Sequence, residues 1–145
     1  MNEDTFHLGI KALIRNNEGK FLLLRVNLEK LHNHSLGAYW DIPGGRIQKG
    51  STVEETLRRE VEEETDMTAI NAFTKFDMVL SNIRIPMGVD SYGLILGIYI
   101  CDVDTPTAIN ISDEHTEYGW FDSKQASELL KVKYPKEFCE KVALL

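Results

Sequence analysis

Positions Phe6, Leu8, Ile10, Ala12 and Ile14 alternate with more polar neighbours, which is the period of a strand. The polar run NNEGK at 16–20 is a turn signal, and FLLLRV follows as a second strand. Residues 27–38, NLEKLHNHSLGA, form a polar connection. YWDIP predicts a short strand, which Gly44 and Gly45 break. Helical spacing covers residues 51–65. Ser51 or Thr52 caps its start, with Glu54 or Glu55 three positions on, as in a capping box. Residues 69–82 and 92–103 read as strands, and TEYGWF at 116–121 as a shorter one. Asp122 with Gln125 caps a helix over 123–132. Pro135 sits near the start of a last helix that runs to about residue 144. No internal repeat or low-complexity linker is visible. Strands dominate, with one helix in the middle and helical segments at the end, so the pattern predicts α+β or mixed α/β layers.

The length of 145 residues suits one domain with one core, spanning 1–145. A net charge of -7 argues against a basic nucleic-acid face. The same charge does little to attract a phosphate-rich ligand unless metal cations intervene. Cys101 and Cys139 belong to no CxxC pair and are too few for a disulfide framework. They read as reduced, buried thiols of a cytosolic protein. The N-terminus, MNEDTFHLGI, is acidic and lacks the apolar run of a signal peptide. The longest apolar stretch, YGLILGIYICDV, is too short to span a bilayer and reads as a buried central strand.

The segment RREVEEETDM, residues 58–67, is dense in carboxylates. On a wheel of about 100° per residue, Val53, Leu57 and Val61 form an apolar stripe. Glu54, Glu55, Arg58 and Glu62 fall on a wet face. Glu60, Glu63 and Glu64 fall together where the helix meets the protein. Such a cluster repels itself and costs desolvation. Cations would neutralise it, and oxygen-only ligands suit Mg²⁺ or Mn²⁺ rather than zinc. A salt-bridged helix without metal is the plainer alternative. Arg59 can hold one carboxylate by a charge-assisted hydrogen bond. The preceding PGG lets the backbone turn sharply and approach a ligand closely. Strand, glycine turn and carboxylate helix together form a layout able to hold a metal–diphosphate.

GRIQKGSTVEETLRREVEEETDM, residues 45–67, resembles the Nudix box. Gly45, Arg59, Glu60, Val61, Glu63, Glu64 and Met67 occupy matching positions with the spacing intact. YWDIPG before it and SDEHTEYGWF late in the chain resemble flanking segments of the family, so the likeness covers most of the chain. The resemblance implies an α/β/α sandwich around a mixed β-sheet. It implies hydrolysis of a diphosphate linked to another group, often a nucleoside, with water as nucleophile and Mg²⁺ or Mn²⁺ as cofactor. By matching position, Glu60, Glu63 and Glu64 would bind metal, Glu63 or Glu64 would activate the water, and Arg59 would orient a glutamate. A backbone carbonyl of Gly44 or Gly45 would complete the metal shell. Two positions depart from the pattern: Ser51 stands where the box has its first Glu, and Asp66 where it has Gly. Ser51 is a good helix cap, and Asp tolerates a left-handed helix end better than most residues.

Several further residues are candidates. Arg46 and Arg25 could touch a phosphate, and Tyr39 or Trp40 could stack on a base. Glu114 and His115 lie where family members place an extra metal ligand or a general base. His32 and His34 make a His-x-His pair without further ligands nearby, in a substrate-side loop. Phe76, Met78 and Tyr99 read as core. The sequence therefore predicts a MutT-like, Mg²⁺-dependent cytoplasmic hydrolase. Its substrate is a small nucleotide, either a nucleoside triphosphate or a nucleotide sugar, and neither nucleic acid nor membrane is a partner. The family is often homodimeric. The rival reading, for which Ser51 speaks, is a non-catalytic nucleotide-binding or regulatory module. A prenyl-diphosphate isomerase on the same fold would need catalytic residues not seen beside the box.

Overall fold

A computed structural model describes residues 2–31, 34–105 and 108–145. Its strands are β1 (Phe6–Arg15), β2 (Phe21–Val26), β3 (Trp40–Asp41), β4 (Gly44–Arg46), β5 (Ala72–Leu80), β6 (Ile85–Met87), β7 (Asp90–Asp102) and β8 (His115–Phe121). Its helices are α1 (Val53–Thr65), α2 (Ser123–Leu129) and α3 (Lys136–Ala143). A 3₁₀ turn, Leu28–Lys30, interrupts the polar connection after β2.

The main sheet runs β3-β2-β1-β7-β5, with β4 paired to β1, β6 to β7 and β8 to β2. β1 and β7 are parallel, and every other pairing is antiparallel. Successive residues of a strand face opposite sides, and here both sides are covered. Leu13, Phe21 and Leu23 pack with Ala126, Leu130 and Phe138 of the α2–α3 region. Ile10, Ala12, Ile14, Leu22 and Leu24 pack with Leu57 and Val61 of α1. The result is an α/β/α sandwich with a mixed sheet. The strand read from the alternation of residues 6–14 forms as β1, and Gly9–Ile14 are buried throughout.

Thr52, not Ser51, caps α1: its side-chain oxygen accepts from the Glu55 N–H. The helix ends at Asp66 in the left-handed region, φ 65°, a conformation Asp adopts more readily than most residues. Both halves of the predicted Asp122–Gln125 capping box form. Met78 is a further correction. At 72% exposure on β5, the edge of the main path, it is not core, whereas Phe76 and Tyr99 pack against the two cores. Cys101 and Cys139 are free and buried. Among the described residues no helix is long and apolar enough to cross a membrane.

Candidate active site

The two glycines do not end a strand. They form one, β4, with Gly44 opposite Lys11 and Gly45 opposite Ile10. Each has a reason to be glycine. Gly44 has φ +156°, and a Cβ there would lie 2.8 Å from the Lys11 Cα. A Cβ on Gly45 would lie 2.6 Å from the Glu60 Cδ. Bare backbone therefore meets the carboxylates of α1 directly. The Gly44 N–H donates to Glu64 Oε2 at 2.7 Å. Arg59 Nη2 donates to Glu60 Oε1 at 3.4 Å.

Glu64 is buried and Glu60 half-buried, while Glu63 is exposed. The wheel thus overstated the convergence, since two of the three glutamates sit at the boundary and the third stands in solvent. Among the described residues no three carboxylate, imidazole or thiol side chains already close into a metal cage. Electrostatics nevertheless link the three. Burial, then the charge of Glu63, raises the carboxyl of Glu60. Burial pushes Glu64 up to about 8 against the pull of Lys11 and the Gly44 N–H, with Glu60 adding to the rise. Mutually repelling, partly desolvated oxygens beside an open backbone turn fit a hard divalent cation. Exposed Glu63 is the member with room to turn toward the other two.

A cavity of about 240 Å³ opens on the Glu64 flank, lined by Lys11, Asp41, Glu64, Glu114, His115 and Lys133 among others. Its floor is a buried polar network that the sequence reasoning missed. Asp41 Oδ2 accepts from Lys11 Nζ at 3.2 Å and from Lys133 Nζ at 2.6 Å. Its Oδ1 accepts from the Tyr134 hydroxyl at 2.6 Å. Burial works against the Asp41 charge, yet Lys11 and Lys133 hold its carboxyl well below the ordinary range. A lysine set inside the apolar run LGIKALI was the available signal, because a buried ammonium needs a partner. His115 is buried, and burial lowers its imidazole to about 4, so it is neutral at pH 7. Its Nδ1 and the Ser112 hydroxyl are buried and without a partner among the described residues. Glu114 is exposed.

The other candidates separate. Tyr39 lines the Glu64-side cavity. Trp40 packs against the core, edge-on to Phe121 with centroids 5.3 Å apart. Arg25 donates to the Ala38 carbonyl at 3.0 Å and stands 3.8 Å from Glu117, which ties β2 to its neighbours. Arg46 lies on the Glu60 flank. His34 is exposed, with Nε2 2.9 Å from the Leu31 carbonyl. His32 lies outside the described residues, so the His-x-His pair is not seen as a pair.

Comparison with known proteins matches the same region. The family model for the NUDIX domain covers residues 5–141. The chain is similar to an 8-oxo-dGTP diphosphatase of Haemophilus influenzae, 35% identical over 61 residues, a match that spans 42% of each chain. It is 27% identical over 108 residues to the nucleoside triphosphatase NudI of Escherichia coli K12, covering 72% of this chain and 74% of that one. Among solved structures, a MutT protein from Methanosarcina mazei Go1 superposes with a TM-score of 0.69 at 26% identity, over 98% of this chain and 96% of that one. With the family model spanning nearly the whole chain and Glu60 and Glu64 meeting the β4 backbone, the chain belongs to the NUDIX domain family of hydrolases.

Proposed function

We propose that this Nudix hydrolase cleaves a diphosphate bond in a nucleoside triphosphate or a nucleotide sugar, with Mg²⁺ or Mn²⁺ as cofactor. The observation that carries the reading is the meeting of Glu60 and Glu64 with the backbone of Gly44 and Gly45. Glu60, Glu63, Glu64 and a Gly44 or Gly45 carbonyl would hold the cation. Once bound, it would neutralise phosphate charge and lower the pKa of coordinated water. Arg59 orients Glu60. Glu63 or Glu64 would take the proton from the attacking water, Glu64 only in the ionised form that a bound cation would favour. Glu114 and His115 stand at the same cavity, where the neutral imidazole can accept a hydrogen bond. The similar bacterial proteins are an 8-oxo-dGTP diphosphatase and a nucleoside triphosphatase, which supports the nucleoside triphosphate half of the substrate class.

The test is hydrolysis across a panel of nucleoside triphosphates and nucleotide sugars with Mg²⁺ or Mn²⁺, beside Glu63→Gln and Glu64→Gln variants. Metal-dependent turnover that falls by about 10²-fold or more in the variants is expected. No turnover on any compound, with nucleotide binding retained, would replace the enzyme by a binding module marked by Ser51.

A further inference from the structure

Asp66 is a costly residue for its place. It ends α1 at φ 65°, a left-handed position that glycine takes without strain. Its charge stands at the C-terminal end of the helix, where the dipole disfavours an anion. A side-chain contact offsets both costs. Asp66 Oδ2 accepts from Asn110 Nδ2 at 3.1 Å, and the Asn110 N–H donates to the Thr65 carbonyl at 3.2 Å. Asn110 is thereby bound twice to the end of α1, close to Glu64 in the same last turn.

Asn110 belongs to the segment that leads into β8. Ile109 is buried in the core of Leu57, Val61 and Met67, and Ile111 packs against the same core. Further on, Glu114 and His115 reach the cavity that Glu64, Lys11 and Lys133 also line. The far end of the segment is tied to the end of β2. The Asn27 N–H donates to the Glu114 carbonyl and Asn27 Nδ2 to the Asp113 carbonyl, both at 2.8 Å. Between the two ties, Ser112 Oγ and His115 Nδ1 are buried without a partner among the described residues. An unsatisfied buried polar atom favours any shift that returns it to water. The segment therefore keeps His115 at the cavity only while both ends hold.

We propose that Asp66 and Asn110 are positioning residues, a clasp that fixes Glu114 and His115 against the carboxylate helix for the reaction at this cavity. The inference rests on the hydrolase reading above and deepens it. It also gives a role to the residue by which the chain departs from the box. Glycine at position 66 would relax the helix end and release the loop.

The experiment compares Asp66→Gly, Asp66→Asn and Asn110→Ala with wild type, by metal-dependent turnover of a nucleoside triphosphate and by amide hydrogen exchange. Asp66→Gly keeps a left-handed helix end and loses the acceptor, so its Tm should stay within about 3 °C of wild type. Its kcat should fall about tenfold, with KM held to within about twofold. The His115 amide, which donates to the Ser112 carbonyl at 3.3 Å, should exchange about tenfold faster. Asp66→Asn keeps an amide oxygen for Asn110 Nδ2 and should match wild type in both readouts. Asn110→Ala should match Asp66→Gly, and the double variant should lose no more than either single one. Asp66→Gly with turnover and exchange both unchanged overturns the proposal. So does a change in only one of the two readouts, or an equal loss in Asp66→Asn. If wild type hydrolyses nothing, the hydrolase reading falls and exchange still decides. A loop released in Asp66→Gly and held in Asp66→Asn keeps the clasp, and any other pattern overturns it.

Discussion

At pH 7 the folded chain must either ionise Glu64 where burial opposes it or hold on to its proton. Glu64→Gln removes that choice. The side chain keeps its shape, and its amide oxygen can still accept the Gly44 N–H that now donates to Oε2 at 2.7 Å. The carboxyl moves from its ordinary 4.5 in the unfolded chain to about 8 in the folded one. Between those values the folded state binds the proton that the unfolded state has released. Stability therefore falls as pH rises from about 4.5 to about 8 and is level beyond. From 4.5 to pH 7 is roughly two and a half pH units, which at about 1.4 kcal/mol per unit is about 3 kcal/mol. The variant lacks this loss. In metal-free buffer at pH 7, Glu64→Gln should be more stable than wild type by about 2–3 kcal/mol, a rise in Tm of roughly 4–12 °C. Urea denaturation at a series of pH values measures the difference, which should close toward pH 4.5. Added Mg²⁺ should stabilise wild type more than the variant. A variant equal to or weaker than wild type at pH 7, or a gap unchanged at pH 4.5, refutes the reasoning.

Asp41→Asn leaves Lys11 and Lys133 buried together without their shared anion. Urea denaturation at pH 7 should show a loss of about 3–5 kcal/mol. Because the Asp41 carboxyl is held below its ordinary range, its contribution is present above about pH 4 and is lost as pH falls through the folded value. The variant should thus show a shallower acid limb, and a midpoint shift under about 1 kcal/mol at pH 7 would contradict the network's role. Gly44→Ala forces a Cβ to within 2.8 Å of the Lys11 Cα at a φ of +156°. It should destabilise the chain by more than about 2 kcal/mol and abolish turnover, and wild-type denaturation and kinetics would sink this account of β4.

The carboxylate helix was legible because its signal is local. Apolar spacing, a capping threonine and a fixed box all lie within residues 45–67. What periodicity could not show is how far the other layer reaches. Strands β1 and β2 are covered on both faces, so polar-looking alternation at 6–14 did not mean a wet side. β4 was read as a break because glycines carry no side-chain pattern, although their pairing with β1 creates the site. The Asp41–Lys133 contact joins residues 92 positions apart and could not be placed before the fold was known. Trp40 and Tyr39 sit side by side in sequence, yet strand geometry sends one to the core and the other to the cavity wall. Glu63 was grouped with its neighbours by angle alone, which says nothing about the direction of a flexible side chain on an exposed turn.

The centre of the sheet is a parallel pair, β1 beside β7, and Arg15 meets Asp102 across 87 positions of chain. Closing so long a loop must precede the contacts that reward it, and such topologies fold slowly. A ribosome-bound chain has made β1, β4 and the whole of α1 well before β7 exists to flank them. The glycine strand that faces the glutamates is hung on β1. Its alignment with Glu60 and Glu64 rests on β1, whose other edge is completed only by β7. A chain truncated before residue 90 would carry every residue of the box with one edge of β1 left unpaired.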